Sequence, residues 1–231
     1  FRVAALPTRR ATVSPSRDAV ASMWQSRLRR SATVHTREQL LDAGWFGPVR
    51  HEVAPRIGDL VVNPADDSLW GLRSANGRHT IVRLAPPYTK WSSVRSFPFG
   101  EVLYDLDISA DGKLLSTSFG EMNGDQSVRV MRIDSLLNDD PKAAPKVVSK
   151  FNFGTAVPES FVFSADGKYL YGSSYYTGVS NIYRYEVATG EIHAMSNSET
   201  GFFRPLSLAD GSLLVLRYTG DGFVPSTIQP K

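Results

Sequence analysis

The most regular pattern in this sequence is a polar turn followed by an apolar run, and it occurs four times in the second part of the chain. The turns begin 45, 55 and 44 residues apart, at Asp66, Asp111, Asp166 and Asp210. Three and four residues after each aspartate come the pairs Leu69-Trp70, Leu114-Leu115, Tyr169-Leu170 and Leu213-Leu214. Asp-Gly between apolar runs is typical of a β-hairpin, because Gly accepts a positive φ and Asp caps the turn. The pattern therefore predicts repeated hairpins.

A second sequence feature, which we call the arginine mark, follows each of the first three turns. An arginine between apolar residues follows each turn aspartate by 17 to 21 residues, at Arg83, Arg132 and Arg184. The fourth copy has only Gly222-Phe223-Val224 in its place. A period near 45 residues with several short strands is the signature of β-propeller blades. The clearest copy predicts four strands, at Ser160–Ser164, Tyr169–Ser174, Asn181–Val187 and Ile192–Ser196.

We therefore predict a mainly β fold, with about four four-stranded propeller blades in residues 59–231. Four blades is the lower limit for a closed ring, so the ring is expected to be incomplete or unusual. An open ring would leave strand edges and apolar faces uncovered. We accordingly expect a protein partner or self-association.

The front segment, residues 1–58, has a different pattern and a different charge. Ser16 can cap a helix that carries apolar residues at helical spacing, and Thr36–Gln39 form a capping box for a second helix ending at Gly44. Residues 1–60 contain ten arginines and five acidic residues, whereas residues 61–231 contain sixteen basic and eighteen acidic residues. We interpret the basic helical segment as a solvated face and predict no nucleic-acid binding.

Composition excludes several kinds of function. The chain has 231 residues, of which 42% are hydrophobic and 21% charged, as in an ordinary globular protein. It contains no cysteine, which excludes disulfides, thiolate metal sites and a cysteine nucleophile. The sequence contains no run of 18 apolar residues, so it predicts no transmembrane helix.

No enzymatic motif is recognisable. The sequence lacks the G-x-S-x-G elbow, the P-loop and the G-x-G-x-x-G fingerprint. None of the four histidines forms the H-x-x-x-H pair of a zinc site. Whether the protein is an enzyme stays open, with a non-enzymatic role favoured and no cofactor required.

One stretch of the sequence has the acidic residues of a possible metal site. Alternation along a strand would place Asp105, Asp107 and Ser109 on one face, next to the turn residue Asp111. Their oxygens could gather Ca²⁺ if Glu121 closed the shell. The favoured interpretation is nevertheless an inner strand followed by a capped turn.

The candidate binding residues lie in predicted loops at one end of the blades. Tyr175 and Tyr176 are neighbouring aromatics in an inter-strand loop, which suits a contact surface. Arg73 and Glu121 are expected in the equivalent loops of the first two blades. Arg204, within Phe202-Phe203-Arg204, is expected just before the fourth inner strand.

The third repeat, Phe163 to Leu170 with Ile182-Tyr183 and Thr189-Gly190-Glu191, resembles the TolB-like family of WD-type propeller repeats. Ser109–Leu115 repeats its centre, and the likeness extends from Asp59 to Ile228. The resemblance implies a propeller of the bacterial envelope, located in the periplasm, with a possible outer-membrane association through regions outside this chain. A cytoplasmic location stays open.

A second resemblance concerns residues 18–60. The segments Trp24–Leu28, Arg37–Pro48 and Pro55–Asp59 look like a late stretch of bacterial nucleotide pyrophosphatase/phosphodiesterases of the alkaline phosphatase superfamily. That family needs a Ser or Thr nucleophile and two metal ions held by Asp and His. The matched stretch carries none of these, so the resemblance implies no catalytic residue.

These observations favour a non-enzymatic binding or scaffolding module that recognises a protein or ligand through the loop ends of its blades. Two alternatives remain. The repeats could be the accessory propeller of a hydrolase, such as a peptidase, whose catalytic part is absent. They could also be fused to the remnant of a phosphodiesterase-like fold.

Overall fold

The computed structural model describes residues 56–138, 140, 144–208 and 210–229. They form four antiparallel sheets in which strands that are consecutive in sequence pair with each other. Blade 1 contains β1 (Arg56–Val62), β2 (Leu69–Ala75), β3 (Arg78–Leu84) and β4 (Ser92–Ser96). Blade 2 contains β5 (Val102–Ile108), β6 (Leu114–Gly120), β7 (Gln126–Arg132) and β8 (Val147–Gly154), with the short helix α1 (Ile133–Leu136) after β7.

Blade 3 contains β9 (Pro158–Phe163), β10 (Tyr169–Ser174), β11 (Asn181–Glu186) and β12 (Ile192–Ala194). Blade 4 contains β13 (Phe202–Ser207), β14 (Leu213–Thr219) and β15 (Gly222–Ile228). The mainly β prediction is confirmed, and the four predicted strands of blade 3 are found within two residues of their expected bounds. The prediction of four strands in every blade is wrong for blade 4, which has three among the described residues.

The predicted helices lie in residues 1–55, outside the described residues. Strand β1 begins at Arg56, three residues before the expected start of the propeller part. The arginine marks lie where the repeat placed them, on the third strand of blades 1 to 3, and Gly222-Phe223-Val224 begins the third strand of blade 4.

Each blade has the predicted turn between its first two strands, held by the same hydrogen bonds. The carboxylate of the turn aspartate accepts a bond from a backbone N–H two residues later and from a serine hydroxyl, for example Lys113 N and Ser109 Oγ at Asp111. The same arrangement recurs at the other three turns, Asp66, Asp166 and Asp210. The next residue has a positive φ each time: Asp67, Gly112, Gly167 and Gly211.

The first strand of every blade contains a β-bulge at the same place. The bulged residues are Asp59, Asp105, Ser160 and Arg204, with φ of 49°, 56°, 54° and 49°. The pairing register with the second strand shifts at each of them. A bulge leaves the extra residue unpaired and bends the strand. The sequence repeat gave no sign of this feature, because the four residues share no chemistry.

The core consists of three apolar clusters, one between each pair of successive blades. Trp70 and Ile81 of blade 1 pack with Leu115 and Met131 of blade 2. The second cluster is rich in aromatic rings from blades 2 and 3, including Phe153, Phe161, Tyr183 and Tyr185. The third is smallest and joins Ile182 and Met195 of blade 3 to Leu213 and Val215 of blade 4. In the described part of the chain, blade 4 makes no comparable contact with blade 1. The blades therefore form an open arc, as expected.

The antiparallel order assigns the connections to two ends of the arc. The aspartate turns lie at one end, which we call the turn end. The hairpins between second and third strands and the short connections between blades all lie at the other, because each inner strand starts there. No described helix has the length and hydropathy needed to cross a membrane.

Candidate binding surface

Exposed apolar side chains collect at one end of the arc. Of the twelve large apolar residues that are exposed in the described chain, eight lie at the end opposite the aspartate turns. This set, called the loop face below, consists of Phe99, Val102, Met122, Val157, Tyr175, Tyr176, Tyr218 and Phe223. Single exposed apolar residues are normal on a protein surface, but a concentration of them on one face marks a contact region.

The loop face of blades 1 and 2 is formed by side chains lying on glycines. A Cβ placed on Gly77 would lie 2.4 Å from the ring of Phe99, and one on Gly100 would lie 2.5 Å from Cγ of Met122. The ring of Phe99 and the side chain of Met122 therefore each lie directly on the backbone of a neighbouring loop. Phe99 is 63% exposed and Met122 is 76% exposed. Both present most of their surface to solvent in defined positions.

Four aromatic rings continue the surface across blades 3 and 4. The ring centroids of Tyr175 and Phe203 are 6.0 Å apart, those of Phe203 and Phe223 5.2 Å, and those of Phe223 and Tyr218 5.4 Å. These are edge or tilted contacts, the geometry that aromatic pairs prefer. The rings thus fix one another, and Tyr175 is 54% exposed at one end of the series.

Tyr176 has a different environment from its neighbour. Its ring contacts those of Phe151, Phe153 and Tyr183, with centroids 5.6 to 6.3 Å apart. Tyr176 covers the end of the apolar cluster between blades 2 and 3 that lies nearest the loop face. Only Tyr175 of the predicted pair is mainly turned outward, so the two residues are not equivalent binding candidates.

Arg73 and Arg204 both lie within strands, whereas Arg73 was expected in an inter-strand loop and Arg204 just before the fourth inner strand. The β2–β3 hairpin turns at Asn76 and Gly77, which both have positive φ, so β2 extends beyond Arg73. Arg73 donates a hydrogen bond to Ser93 Oγ on β4. Arg204 is the bulged residue of β13, one position after the aromatic Phe203.

Glu121 lies at the start of the β6–β7 hairpin, as predicted, but its carboxylate is already paired. It accepts hydrogen bonds from Arg129 and, at 3.1 Å, from Lys150. The Arg129 guanidinium also lies 4.0 Å from the centre of the Phe119 ring. This network connects three strands of blade 2, so the carboxylate has a structural partner whether or not it contacts a ligand.

The inner strands carry charged groups that interact across blades. Asp105 Oδ2 accepts a bond of 2.7 Å from Ser160 N, and Asp59 Oδ2 lies 3.3 Å from Asp105 N. Burial raises the pKa of Asp105, as do the negative charges of Asp59 and Glu159, while the bond from Ser160 and the charge of Arg204 oppose the rise. Carboxylates therefore connect inner strands that cannot form a ladder with each other.

The three predicted calcium ligands have separate roles. Asp105 and Asp107 each accept a backbone N–H from β9, at Ser160 and Phe163, whereas Asp111 caps its own turn. The bulge at Asp105 interrupts the alternation on which the prediction depended. Among the described residues, no group of three or more acidic or histidine side chains could hold a metal ion. The calcium site stays a prediction without geometric support.

The sequence interpretation missed Phe99, Met122, Tyr218 and Phe223. A usable signal was present in each case. These residues stand within two positions of a glycine in a polar hairpin or connection, as in Pro98-Phe99-Gly100 and Glu121-Met122-Asn123-Gly124. Apolar residues at such loop tips have no core to enter, so their position alone indicates exposure.

Comparison with known proteins identifies the architecture. No family model and no curated protein matches the chain. Solved structures do match. TolB from Acinetobacter baumannii is 17% identical, with a TM-score of 0.57, over 77% of this chain and 44% of its own. An oligogalacturonate lyase is 12% identical, with a TM-score of 0.59, over 76% and 49%. A puromycin-hydrolyzing peptidase from Mycobacterium tuberculosis is 18% identical, with a TM-score of 0.52, over 74% and 31%.

The chain thus spans less than half of the length of these propeller proteins. The comparisons give no support to the phosphodiesterase resemblance, nearly all of which falls outside the described residues. At such low identity the matches establish the fold alone. The described residues have the β-propeller fold of these solved structures and form an arc of four blades.

Proposed function

We propose that this propeller module is a non-enzymatic binding or scaffolding unit that recognises a protein partner through the loop face. The observation that carries the proposal is the concentration of exposed apolar side chains at one end of the blades. Aromatic residues and Met are enriched in protein interfaces, where a few well-placed side chains provide most of the affinity. The loop face offers such side chains from every blade.

The construction of the surface supports the same proposal. Phe99 and Met122 lie against neighbouring backbone, and Tyr175 is held by the ring of Phe203. Side chains that are already positioned lose little conformational entropy on binding. Surface residues with no role in recognition would not need this degree of support.

A capture experiment with matched variants tests the proposal. The loop-face variant carries Met122→Asp and Tyr175→Asp. The control carries Val147→Asp and Val148→Asp at the start of β8, where the side chains are also exposed, at 45% and 41%, but lie on an outer strand. We expect a bacterial envelope protein that binds the wild type and the control, with at least about tenfold weaker binding to the loop-face variant.

The affinity is to be measured with the purified partner, since capture from an extract does not establish direct binding. Unchanged unfolding temperatures for both variants would show that the arc is intact. If every captured protein bound the two variants equally well, the loop face would not be the recognition surface.

A second candidate function is that of an accessory propeller in a peptidase. The match to the puromycin-hydrolyzing peptidase, of which this chain covers 31%, favours it. Reading the gene on both sides of the region that encodes this chain tests it, because a hydrolase domain with Ser, Asp and His would support the accessory role. An envelope location, with or without outer-membrane association, is proposed on the likeness to TolB and is checked by fractionating cells that produce the tagged protein.

A further inference from the structure

All the sulfur in this protein belongs to methionine, because the chain has four methionines and no cysteine. Three of them lie among the described residues, and their environments differ. Met131 is 1% exposed and Met195 is 7% exposed, each within an apolar cluster between blades. Met122 is 76% exposed, the highest fraction among the exposed large apolar residues of the described chain. It is therefore the described methionine that dissolved reagents reach most readily.

The exposure of Met122 does not depend on where the arc ends. The residue lies in the β6–β7 hairpin of blade 2, and the apolar clusters join this blade to blade 1 on one side and blade 3 on the other. Backbone bonds order the hairpin, since Glu121 N donates to Asp125 O at 2.8 Å and Gly124 N donates to Glu121 O at 2.9 Å. Met122 thus stands on a defined turn in the middle of the arc.

The Met122 side chain reaches from its own hairpin to the connection between blades 1 and 2. A Cβ placed on Gly100 would lie 2.5 Å from Cγ of Met122 and 2.6 Å from Sδ. The thioether therefore occupies the space that a larger residue at Gly100 would fill. Because most of the residue remains exposed, the sulfur is held at the surface of the loop face and not inside a core.

A thioether at such a position is open to oxidation by a peroxide. A lone pair of the sulfur attacks one oxygen of hydrogen peroxide, the S–O bond forms and the O–O bond breaks, and the leaving hydroxide takes up the remaining proton to become water. Sulfur is oxidised by two electrons, peroxide is reduced by two, and the product is methionine sulfoxide. The step requires contact between the two reactants, so a buried methionine reacts only when the structure opens around it.

We propose that Met122 is a site of reversible oxidation, at which a peroxide makes the loop face more polar and weakens recognition there. The second half of this inference rests on the proposed function. The sulfoxide oxygen is a hydrogen-bond acceptor, and an apolar partner that covered it would leave it buried without a donor. The fold tolerates the added oxygen because Met122 lies outside the apolar clusters. A methionine sulfoxide reductase reverses the change.

Peptide mass mapping of the full chain during treatment with hydrogen peroxide tests the site itself. Met122 should be converted to the sulfoxide at least about tenfold faster than Met131 and Met195, which wait for the blades to open. The unfolding temperature of the treated protein should stay unchanged while only Met122 is oxidised. Oxidation of Met122 at the rate of the two buried methionines would overturn the proposal.

Hydrophobic-interaction chromatography tests the change in the surface without any partner, because the immobilised phenyl groups of the column bind exposed apolar side chains. The proteins carry Met23→Leu, so that the methionine outside the described residues does not contribute. Treated protein should elute earlier than untreated protein. The matched variant Met122→Leu stays apolar and has no sulfur at this position, so treatment should leave its elution unchanged. Equal shifts for the two proteins would contradict the assignment to Met122.

The capture experiment, repeated with oxidised protein, tests the effect on recognition. The envelope protein that binds the untreated chain should bind the sulfoxide form at least about tenfold more weakly, and treatment with sulfoxide reductases of both stereospecificities should restore binding. Whatever the affinity of Met122→Leu, peroxide should not alter it. Equal binding of the oxidised and reduced chains would overturn the regulation. If no protein bound through the loop face, the proposed function would fail, whereas mass mapping and chromatography would still decide the oxidation site, so the two failures are distinguishable.

Discussion

The two ends of the arc are built in different ways. At the turn end, all four blades repeat one arrangement, in which an aspartate caps its own turn and a left-handed residue follows. At the loop face each blade differs: Phe99 lies on a glycine, Met122 on another, and Tyr175 against Phe203. The repeated end reflects what every blade needs to fold. The variable end is the part of the molecule that is free to differ, and therefore the part in which recognition can reside.

The largest predicted difference in the free energy of unfolding is between alanine substitutions at two glycines, one at each end of the arc. Gly112 at the turn end has φ +68°, and an added Cβ would lie 2.3 Å from Asn63 Oδ1. Gly124 at the loop face has φ +90°, and nothing lies within 4 Å of its Cβ position. Alanine in the left-handed region costs about 1–2 kcal/mol at either site. Gly112→Ala additionally displaces Asn63, and so should lower the free energy of unfolding by about 2–4 kcal/mol.

Urea unfolding of the two alanine variants provides the measurement. Gly112→Ala should lose at least about 1 kcal/mol more than Gly124→Ala, because Asn63 donates to Gly112 O and caps Ala65 N. An equal loss at the two sites would mean that turn geometry alone sets the cost and that the link between blades 1 and 2 contributes nothing.

The same comparison explains which parts of the structure could be read from the sequence. The turn aspartates and the arginines of the third strands recur because a single physical requirement recurs, so spacing was sufficient to place them. The third blade was placed within two residues for this reason. Blade 4 has no arginine mark and lacks a described fourth strand, and there the prediction of four strands failed.

The bulges of the inner strands and the loop face were not predictable in the same way. Asp59, Asp105, Ser160 and Arg204 occupy one structural position with different side chains, so no pattern connects them. Tyr175 and Tyr176 are neighbours in sequence, but the ring of Tyr176 also packs on the aromatic cluster between blades 2 and 3. Which member of such a pair is the more exposed depends on contacts with residues far away in the chain.

A smaller effect concerns the turn aspartates themselves. Asp166 accepts bonds from Ser164 Oγ and Lys168 N, and these bonds hold the pKa of its carboxyl below the usual value of 3.8. A lowered pKa in the folded state adds stability above about pH 4 that is lost as the pH falls further. Because Asp166→Ala removes the acceptor of both hydrogen bonds, it should reduce the free energy of unfolding by about 1 kcal/mol at pH 7.

The control for this prediction is Asp125→Ala at the loop face, where the carboxylate bonds to the exposed Asn123 side chain and caps no blade turn. We expect a change within about 0.5 kcal/mol, as for an ordinary surface substitution. Thermal unfolding at pH 7 and pH 3 measures both variants. A larger loss for Asp125→Ala than for Asp166→Ala would contradict the assignment of stability to the turn end.

The smallest predicted effect is a gain in the free energy of unfolding, and it concerns Asp105 on an inner strand. Burial raises the pKa of the Asp105 carboxyl, and so do the negative charges of Asp59 and Glu159. A raised pKa in the folded state means that the ionised carboxylate costs stability at neutral pH, and that this cost disappears as the pH falls below 3.8. Asparagine keeps an acceptor for Ser160 N and removes the charge. Asp105→Asn should therefore stabilise the protein by a few tenths to about 1 kcal/mol at pH 7. Urea unfolding should show this gain shrinking towards pH 3.5, while a loss of stability at pH 7 would mean that the carboxylate bond to Ser160 outweighs the repulsion.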